Sequence, residues 1–300
     1  MAKIYESVPN ISEGRRPEIV AEIVEAMKAA GSAVVLDVSS DADHNRSVLT
    51  LAGDEEGLFA ASMALFETAS KRIDLRAHKG EHPRMGAVDV LPFIPVRGAT
   101  MADATALARR VGEEAARRFG IPIFLYAESA TADNRKLLPD IRKGEFEKLA
   151  EKIARPEWKP DFGPSVIHPS AGVTAVGARP FLIAYNINLG TNDLAVAERI
   201  GKAIRMSSGG YRFVQAKGIP LEGRGIVQVS MNLLDFKKTP IHRVFETVRS
   251  EAERHGVPIV GSEIVGLVPQ DALLAAAEHY LRIESFSPSL VFENRLETER

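Results

Sequence analysis

The chain has 300 residues, of which 45% are hydrophobic and 26% charged, and its formal net charge is −2. This balance argues against a general attraction to nucleic acid or to an anionic membrane. Cysteine is absent, which excludes disulfides, thiolate metal sites and a cysteine nucleophile. The apolar stretches are far shorter than the roughly 20 residues of a membrane span, and the N-terminus has no apolar signal core. We therefore predict a cytoplasmic protein.

Apolar runs alternate with helical periodicity along the chain, which predicts an α+β fold. In the first half the patterns predict strands at 3–8, 33–38, 47–52, 88–96 and 121–126. They also predict helices from Pro17, at 56–72 and at 101–119 with Gly120 as C-cap, and a short surface helix at 146–154. In the second half they predict strands at 181–189, 213–216, 226–233 and 259–265, and helices at 194–206, 239–255 and 271–281.

The order strand, helix, strand, strand, helix, strand occurs once in each half. It is the split βαβ order of ferredoxin-like sheets. We predict two ferredoxin-like subdomains side by side, 1–178 and 179–300, because a new strand begins directly after that boundary. A ligand crevice is expected between their two sheets, since such crevices are common binding places.

The densest polar loop, 76–89, contains His78 and His82 among several charges, between a helix and an apolar strand. Loops on a rigid scaffold often carry catalytic groups, and histidine has an unperturbed pKa near neutral pH. A solvated loop with spare charges is the alternative, and the residues alone leave both open. The i, i+4 histidine spacing suits a metal only on a helix, which Gly80 and Pro83 disfavour. We predict no metal site.

Two further segments are polar beyond what a connection needs. In 37–46, Arg46 begins a strand and could fork onto a carboxylate; a surface ion pair is the alternative. In 161–172, glycine, proline and serine would let the backbone approach a flat ligand. Composition alone favours a plain interdomain linker for that segment.

Seven segments in order along the chain carry a family resemblance. They read VPNISEG at 8–14, NRSV at 45–48, HKGEHPRMG at 78–86, PDFGP at 160–164, FLIAYNINL at 181–189, QVSMNLLDF at 228–236 and VGSEIVGLVP at 260–269. The sequence resembles the glutamate formimidoyltransferase family, including the transferase part of formimidoyltransferase-cyclodeaminases. The resemblance spans nearly the whole chain, and it implies two ferredoxin-like subdomains with folate between them.

The resemblance implies transfer of a formimidoyl group from N-formimidoyl-L-glutamate to N5 of tetrahydrofolate, a co-substrate, in histidine degradation. It implies that His82 is the catalytic general acid and base. Because glutamate and folate carry carboxylates, we expect cations nearby, with Arg46, Lys79 and Arg84 as candidates. The residues implied to line the folate site are Gly163, Pro164, Ser165, Val166, Ile167, His168, Pro169, Ser170, Ala171 and Gly172.

Two positions depart from the relatives. Ser39 stands where some have an acid, with Asp41 close by, and 168–171 differs in detail from the relatives' folate segment. Relatives typically form homodimers, and the missing cyclodeaminase part implies a separate cyclodeaminase as a partner. Two alternatives stay open: a 5-formyltetrahydrofolate:glutamate formyltransferase of the same fold, and a non-enzymatic folate-binding module.

Overall fold

The structure is a computed structural model that describes residues 2–298, with side chains described for residues 2–296. Contacts within the chain group it into two compact units, Met1–Pro180 and Phe181–Arg300. We call them the first and the second unit. In the described part of the chain, no helix combines the length and the apolar character that crossing a bilayer requires.

The first unit contains seven strands and five α-helices within its described residues. The strands are β1 Ile4–Ser7, β2 Asn10–Ile11, β3 Val34–Asp41, β4 Arg46–Gly53, β5 Val88–Arg97, β6 Ile123–Ala127 and β7 Thr174–Ala178. The helices are α1 Pro17–Ala29, α2 Glu55–Arg72, α3 Met101–Phe119, α4 Leu138–Arg142 and α5 Leu149–Ile153.

The long helices of this unit begin and end at the residues that helix capping favours. Proline opens α1, where its missing N–H costs nothing. The side chain of Asp54 accepts the Gly57 amide at the start of α2, and Thr100 forms a capping box with Asp103 at the start of α3. Gly120 ends α3 in the left-handed conformation, which confirms the predicted C-cap.

The first sheet contains a ferredoxin-like core with an extension. β1 and β2 lie antiparallel between β4 and β5, and β3 pairs with the outer side of β4. Two more strands follow on the other side: β7 is parallel to β5, and β6 is parallel to β7. We call β6, β7 and the segment between them the extension, because they continue the sheet from β5.

Hydrophobic side chains cover both faces of the extended part of this sheet. Alternate residues of a strand point to opposite faces: in β5, Phe93 belongs to the large core with α1 to α3, whereas Val90 belongs to a smaller core. In β7, Val176 and Ala175 divide in the same way. The buried members of the smaller core are Met85, Val90, Phe124, Tyr126, Ile141, Leu149, Ile153, Val173 and Ala175. The segment between β6 and β7 thus covers one face of the extension.

The second unit repeats the ferredoxin-like order without this extension. It contains β8 Ile183–Leu189, α6 Leu194–Ile204, β9 Val214–Leu221, β10 Ile226–Leu233, α7 Ile241–Arg254, β11 Ile259–Val265, α8 Gln270–Leu281 and α9 Phe292–Thr298. The sheet order is β11-β8-β10-β9, antiparallel throughout. Its core lies on one face of this sheet, against α6 and α7.

The α+β class with two sheets is confirmed, and several details of the prediction are wrong. Strands β2 and β7 and helices α4 and α9 were not predicted. The helix expected on the surface at 146–154 is a single 3₁₀ turn followed by α5, and both Leu149 and Ile153 are buried. Strand β9 continues to Leu221, well beyond the predicted end at 216. The crevice between the two sheets stays a prediction.

Candidate active site

Two polar loops of the first unit are tied together. The His82 loop, residues 76–87, precedes β5, and the Arg46 loop, residues 41–46, joins β3 to β4. Asn45 Nδ2 donates to the Lys79 carbonyl at 3.0 Å, and the Glu81 amide donates to the Asp43 carbonyl at 3.1 Å. A Cβ on Gly80 would lie 2.4 Å from the His44 carbonyl oxygen, so only glycine permits this approach.

The two histidines of the His82 loop have different environments. His78 Nε2 donates to the Asn45 carbonyl at 2.8 Å, so His78 fastens the loops together. Burial lowers the pKa of His78, which favours its neutral form. Across residues 2–298, no group of three or more His, Cys, Asp or Glu side chains is arranged to hold a metal ion.

His82 is buried, with 6% of its surface exposed. Burial, then the positive charges of Arg142 and Arg46, lower the pKa of His82 to about 2. The imidazole is therefore neutral at physiological pH and can accept a proton. This differs from the near-neutral pKa that a free histidine would bring, because burial, and then the two guanidinium groups, disfavour the protonated ring.

Arg46 is a partly buried cation that forms no ion pair within the described residues. It lies at the start of β4, and its Nε is buried without a hydrogen-bond acceptor. Burial and the charge of Arg142 lower the pKa of Arg46. A buried N–H donor without a partner costs free energy, so this position favours an anion that accepts from it.

The other two predicted carboxylate-binding cations are placed less favourably. Arg84 donates to Glu145 at 3.1 Å and to Glu147 at 2.6 Å, and it also donates to the His78 carbonyl at 3.3 Å. Its charge is therefore already compensated. Lys79 has an exposed side chain. Among the three candidates, Arg46 is the one that is partly shielded from solvent and still has unused donors.

The structure adds a pair of residues that sequence reasoning missed. Asp89 is 1% exposed, and its Oδ2 accepts from Arg142 Nε at 2.8 Å and Nη2 at 2.5 Å. Asp89 Oδ1 accepts from the Met85 amide at 2.7 Å. The acid thus joins β5, the His82 loop and the last residue of α4. An aspartate inside an apolar strand is the signal that could have revealed it, because a buried carboxylate needs a partner.

Helix α4 is held at its C-terminal end by a buried lysine. Lys152 Nζ donates to the carbonyls of Asp140 at 2.6 Å and Ile141 at 2.7 Å. It also lies 3.8 Å from the centre of the Trp158 ring, a favourable cation–π distance. A cation at a helix C-terminus stabilises the helix dipole, so Lys152 supports the turn that carries Arg142.

The predicted folate segment, 163–172, runs from an exposed half to a buried half. Val166 is 69% exposed, whereas Ala171 is 1% exposed. The Ala87 amide donates to the Ala171 carbonyl at 2.9 Å, and the Val173 amide donates to Met85 at 2.9 Å. The structure therefore brings the C-terminal half of this segment against the His82 loop.

His168 stabilises the turn at the end of the folate segment. Its Nδ1 accepts from the Ala171 amide at 3.0 Å, and its own amide and carbonyl pair with Gly172. Burial lowers the pKa of His168, which favours the neutral ring that this acceptor role requires.

Two family models match the chain. One, described as the formiminotransferase domain, N-terminal subdomain, matches residues 4–179, and the other, described as the formiminotransferase domain, matches residues 184–295. Together they cover nearly the whole chain. This chain belongs to the formiminotransferase family.

Curated proteins with similar sequences support the assignment of this chain to the formiminotransferase family. The chain is 47% identical over 297 residues to the glutamate formimidoyltransferase of Streptococcus pyogenes, with 99% of each chain covered. It is 44% identical to the glutamate formimidoyltransferase of Thermoplasma acidophilum, covering 98% of this chain and 97% of that protein. It is 45% identical to the formimidoyltransferase-cyclodeaminase of Rattus norvegicus, covering 93% of this chain and 53% of that protein.

Ser39 and the nearby acid Asp41 both lie on β3, the strand that pairs with β4 where Arg46 begins. Ser39 is exposed on β3, opposite Val48. Asp41, the nearby acid, is bonded to His44: its Oδ1 accepts the His44 amide at 2.9 Å, and its Oδ2 lies 2.9 Å from His44 Nδ1. Asp41 therefore supports the turn of the Arg46 loop.

The second unit presents a different set of polar side chains, which we call the amide cluster: Asn186, Asn188, Gln228 and Glu263. These residues alternate with core residues of the second sheet, so they lie on its opposite face. Gln228 Nε2 donates to Asn188 at 2.9 Å and to Glu263 at 2.9 Å, and Asn186 donates to Glu263 at 3.1 Å. The cluster offers hydrogen bonds to a polar ligand.

Proposed function

We propose that this chain is a glutamate formimidoyltransferase. It transfers the formimidoyl group of N-formimidoyl-L-glutamate to N5 of tetrahydrofolate and releases 5-formimidoyltetrahydrofolate and L-glutamate. Two supports are its family and the names of the full-length relatives. The observation that carries the proposal is the buried neutral His82 beside the unpaired guanidinium of Arg46.

The proposed reaction needs one proton to move between two nitrogens. N5 of tetrahydrofolate attacks the amidine carbon, and a new C–N bond gives a tetrahedral intermediate. His82 takes the proton from N5 and delivers it to the glutamate nitrogen. The bond from carbon to that nitrogen then breaks, and glutamate leaves as an amine. A neutral imidazole suits the first half of this sequence, because a base must start deprotonated.

The remaining residues of the proposal place the two substrates. The folate segment, 163–172, is proposed to line the folate site, supported by its hydrogen bonds to the His82 loop. Arg46 is proposed to bind a carboxylate of the formimidoyl donor, in line with its unused guanidinium. Positioning of two reactants supplies a large part of the rate enhancement of such transfers.

Exchanging His82 for alanine tests the catalytic part of the proposal. Turnover of formimidoylglutamate with tetrahydrofolate should fall about 100- to 10,000-fold, the usual contribution of a general acid or base. The dissociation constant for tetrahydrofolate, measured by fluorescence quenching, should stay within about threefold, because the exchange leaves the folate segment in place. Both products should be quantified.

Arg117→Gln is the matched control, because Arg117 is a surface residue of α3 that pairs with Glu114. Unchanged turnover in His82→Ala would remove His82 from the mechanism. The same assay with 5-formyltetrahydrofolate and glutamate separates the alternative formyl transfer. Folate binding without any product would favour the binding module.

The proposal also covers partners and location. The rat relative's name joins formimidoyltransferase with cyclodeaminase, so we take a separate cyclodeaminase as the consumer of the product here. A homodimer in the cytoplasm completes the proposal. Light scattering after size-exclusion chromatography tests the dimer: a mass near 65 kDa, about twice the 32.6 kDa of one chain, is expected, and a mass near that of one chain contradicts it.

A further inference from the structure

The two arginines near His82 differ in their partners. Arg142 pairs directly with Asp89. Asp41, which lies opposite Arg46 in the strand pairing, accepts the His44 amide and makes no ion pair with Arg46 among the described residues. The Nε of Arg46 is buried without an acceptor, so its guanidinium keeps donors for a ligand.

Donor groups are also left over. Arg142 uses Nε and Nη2 on a single oxygen of Asp89, and no hydrogen bond from its Nη1 is formed among the described residues. Arg46 likewise makes no side-chain hydrogen bond in that part of the chain. β2 pairs with β4 on one side and with β5 on the other, so Arg46 begins a strand only two strands away from the Asp89–Arg142 pair. Two guanidinium groups with free N–H donors thus lie near the same imidazole. A carboxylate is the anion whose two oxygens fit such donors.

We propose that Arg46 and Arg142 form a cradle for one carboxylate of the glutamate-derived donor, with Asp89 as the positioning residue that holds Arg142. The inference rests on the proposed function, and it adds the residue Arg142 and the reason for Asp89. The two arginines come from distant parts of the first unit: Arg46 begins β4, and Arg142 ends α4. Lys152 fixes the turn beneath Arg142.

The cradle has a consequence for proton transfer. In the free protein, burial first and the two guanidinium charges second lower the pKa of His82. A carboxylate bound between the guanidinium groups offsets the second cause, so donor binding raises the pKa of His82. This rise acts as a switch that helps His82 hold the N5 proton until the glutamate nitrogen accepts it.

Truncated donors combined with protein variants test which carboxylate the cradle binds. N-formimidoyl-γ-aminobutyrate lacks the α-carboxylate, and N-formimidoyl-2-aminobutyrate lacks the γ-carboxylate. With the full donor, Arg142→Leu should lower kcat/KM roughly 10- to 100-fold, as expected for a lost charge-assisted contact. The KM for tetrahydrofolate should be nearly unchanged. With the donor that lacks the bound carboxylate, the same exchange should cost less than about threefold.

Arg142→Lys is the conservative variant and should recover part of the lost kcat/KM, because it keeps the charge but loses the fork. Arg117→Gln again serves as the surface control. If the losses from Arg142→Leu and from each truncation simply multiply for both truncated donors, Arg142 contacts neither carboxylate and the cradle is overturned. An equal rise in the KM for tetrahydrofolate would also overturn it.

A ligand titration followed by NMR tests the switch without turnover. In the protein without ligand, the His82 ring should not titrate between pH 5 and 8. Saturating L-glutamate should raise its midpoint into or toward that range, and Arg142→Leu should abolish the effect of the ligand. A midpoint that glutamate leaves unchanged overturns the switch. If the wild-type protein showed no formimidoyl transfer, the proposed function would fail, and this titration would still decide the cradle.

Discussion

The two units of this protein share one strand order, but they carry different sets of polar side chains. In the first unit, loops and strands of the ferredoxin-like core and the added helix α4 bring a histidine, two arginines and a buried aspartate together. In the second unit, side chains on the face opposite the helices form the amide cluster, joined by neutral donors and one carboxylate. Groups suited to proton transfer therefore gather in the unit with the extension.

This difference shows which part of the first unit contributes a functional residue that the repeated fold lacks. Arg142 lies between β6 and β7, in a segment with no counterpart in the second unit. That segment also contains the folate segment, and its residues Ile141, Leu149 and Ile153 complete the smaller core against the sheet. The smaller core provides the rigid support that an active site needs. The three predictions below test this contrast, in order of decreasing effect.

The largest expected effect is on the buried ion pair of the first unit. Asp89→Ala should lower the free energy of unfolding by about 3–5 kcal/mol, because it leaves the Arg142 charge buried without its partner. In the second unit, Gln228→Ala should cost only about 1–2 kcal/mol, since neutral hydrogen bonds are lost. Urea denaturation, with hydrogen exchange to locate the loosened strands, measures both. Equal losses would contradict the contrast.

A matched pair of glycines separates crowding from backbone strain. Gly172 and Gly225 both have positive φ, of 67° and 63°. A Cβ on Gly172 would lie 2.1 Å from the Met85 carbonyl oxygen, whereas one on Gly225 would meet nothing within 4 Å. Gly225→Ala should cost about 1–2 kcal/mol of unfolding free energy, and Gly172→Ala about 2–5 kcal/mol. Thermal and urea unfolding measure the difference.

If Gly172→Ala cost no more than Gly225→Ala, the approach of the folate segment to the His82 loop would be looser than the structure shows. The affinity of Gly172→Ala for tetrahydrofolate is a second measurement. We expect it to weaken, because the added methyl group pushes the folate segment away from the His82 loop.

The smallest effect, counted per pH unit, is the dependence of stability on pH. His82 has a pKa of about 2 when folded and 6.5 in its ordinary state, so between these values the unfolded chain binds more protons. The free energy of unfolding should therefore fall as pH falls below about 6.5, by up to about 1.4 kcal/mol per pH unit from this residue. His82→Asn should remove that part of the slope. An identical slope in the variant and the wild type would contradict the buried neutral imidazole.

Local sequence patterns were enough for most elements of the fold. Alternating or continuous apolar runs predicted β4, β5, β8 and β10, and helical periodicity with caps predicted α2 and α3. Strand β7 was missed because TAVGA is short, consists of small residues, and follows a segment rich in glycine and serine. Its strand form depends on pairing with β5 and β6 on either side.

The candidate site was only partly predictable. The cluster of charges and histidines around His82 pointed to a functional loop, and Arg46 was named from its place at the start of a strand. Arg84 is a candidate in sequence, but the structure pairs it with two glutamates. Nothing in the sequence distinguishes an arginine that has partners from one that has none.

By itself, the sequence determined the element types, the order within each half and the loop that contains His82, because these follow from periodicity and residue chemistry along a short stretch of chain. Tertiary structure alone decided that Asp89 meets Arg142, 53 positions away, and that the Arg46 Nε is buried without an acceptor. Electrostatic interactions depend on distance in space and on burial. Both are set only when the strands and helices pack.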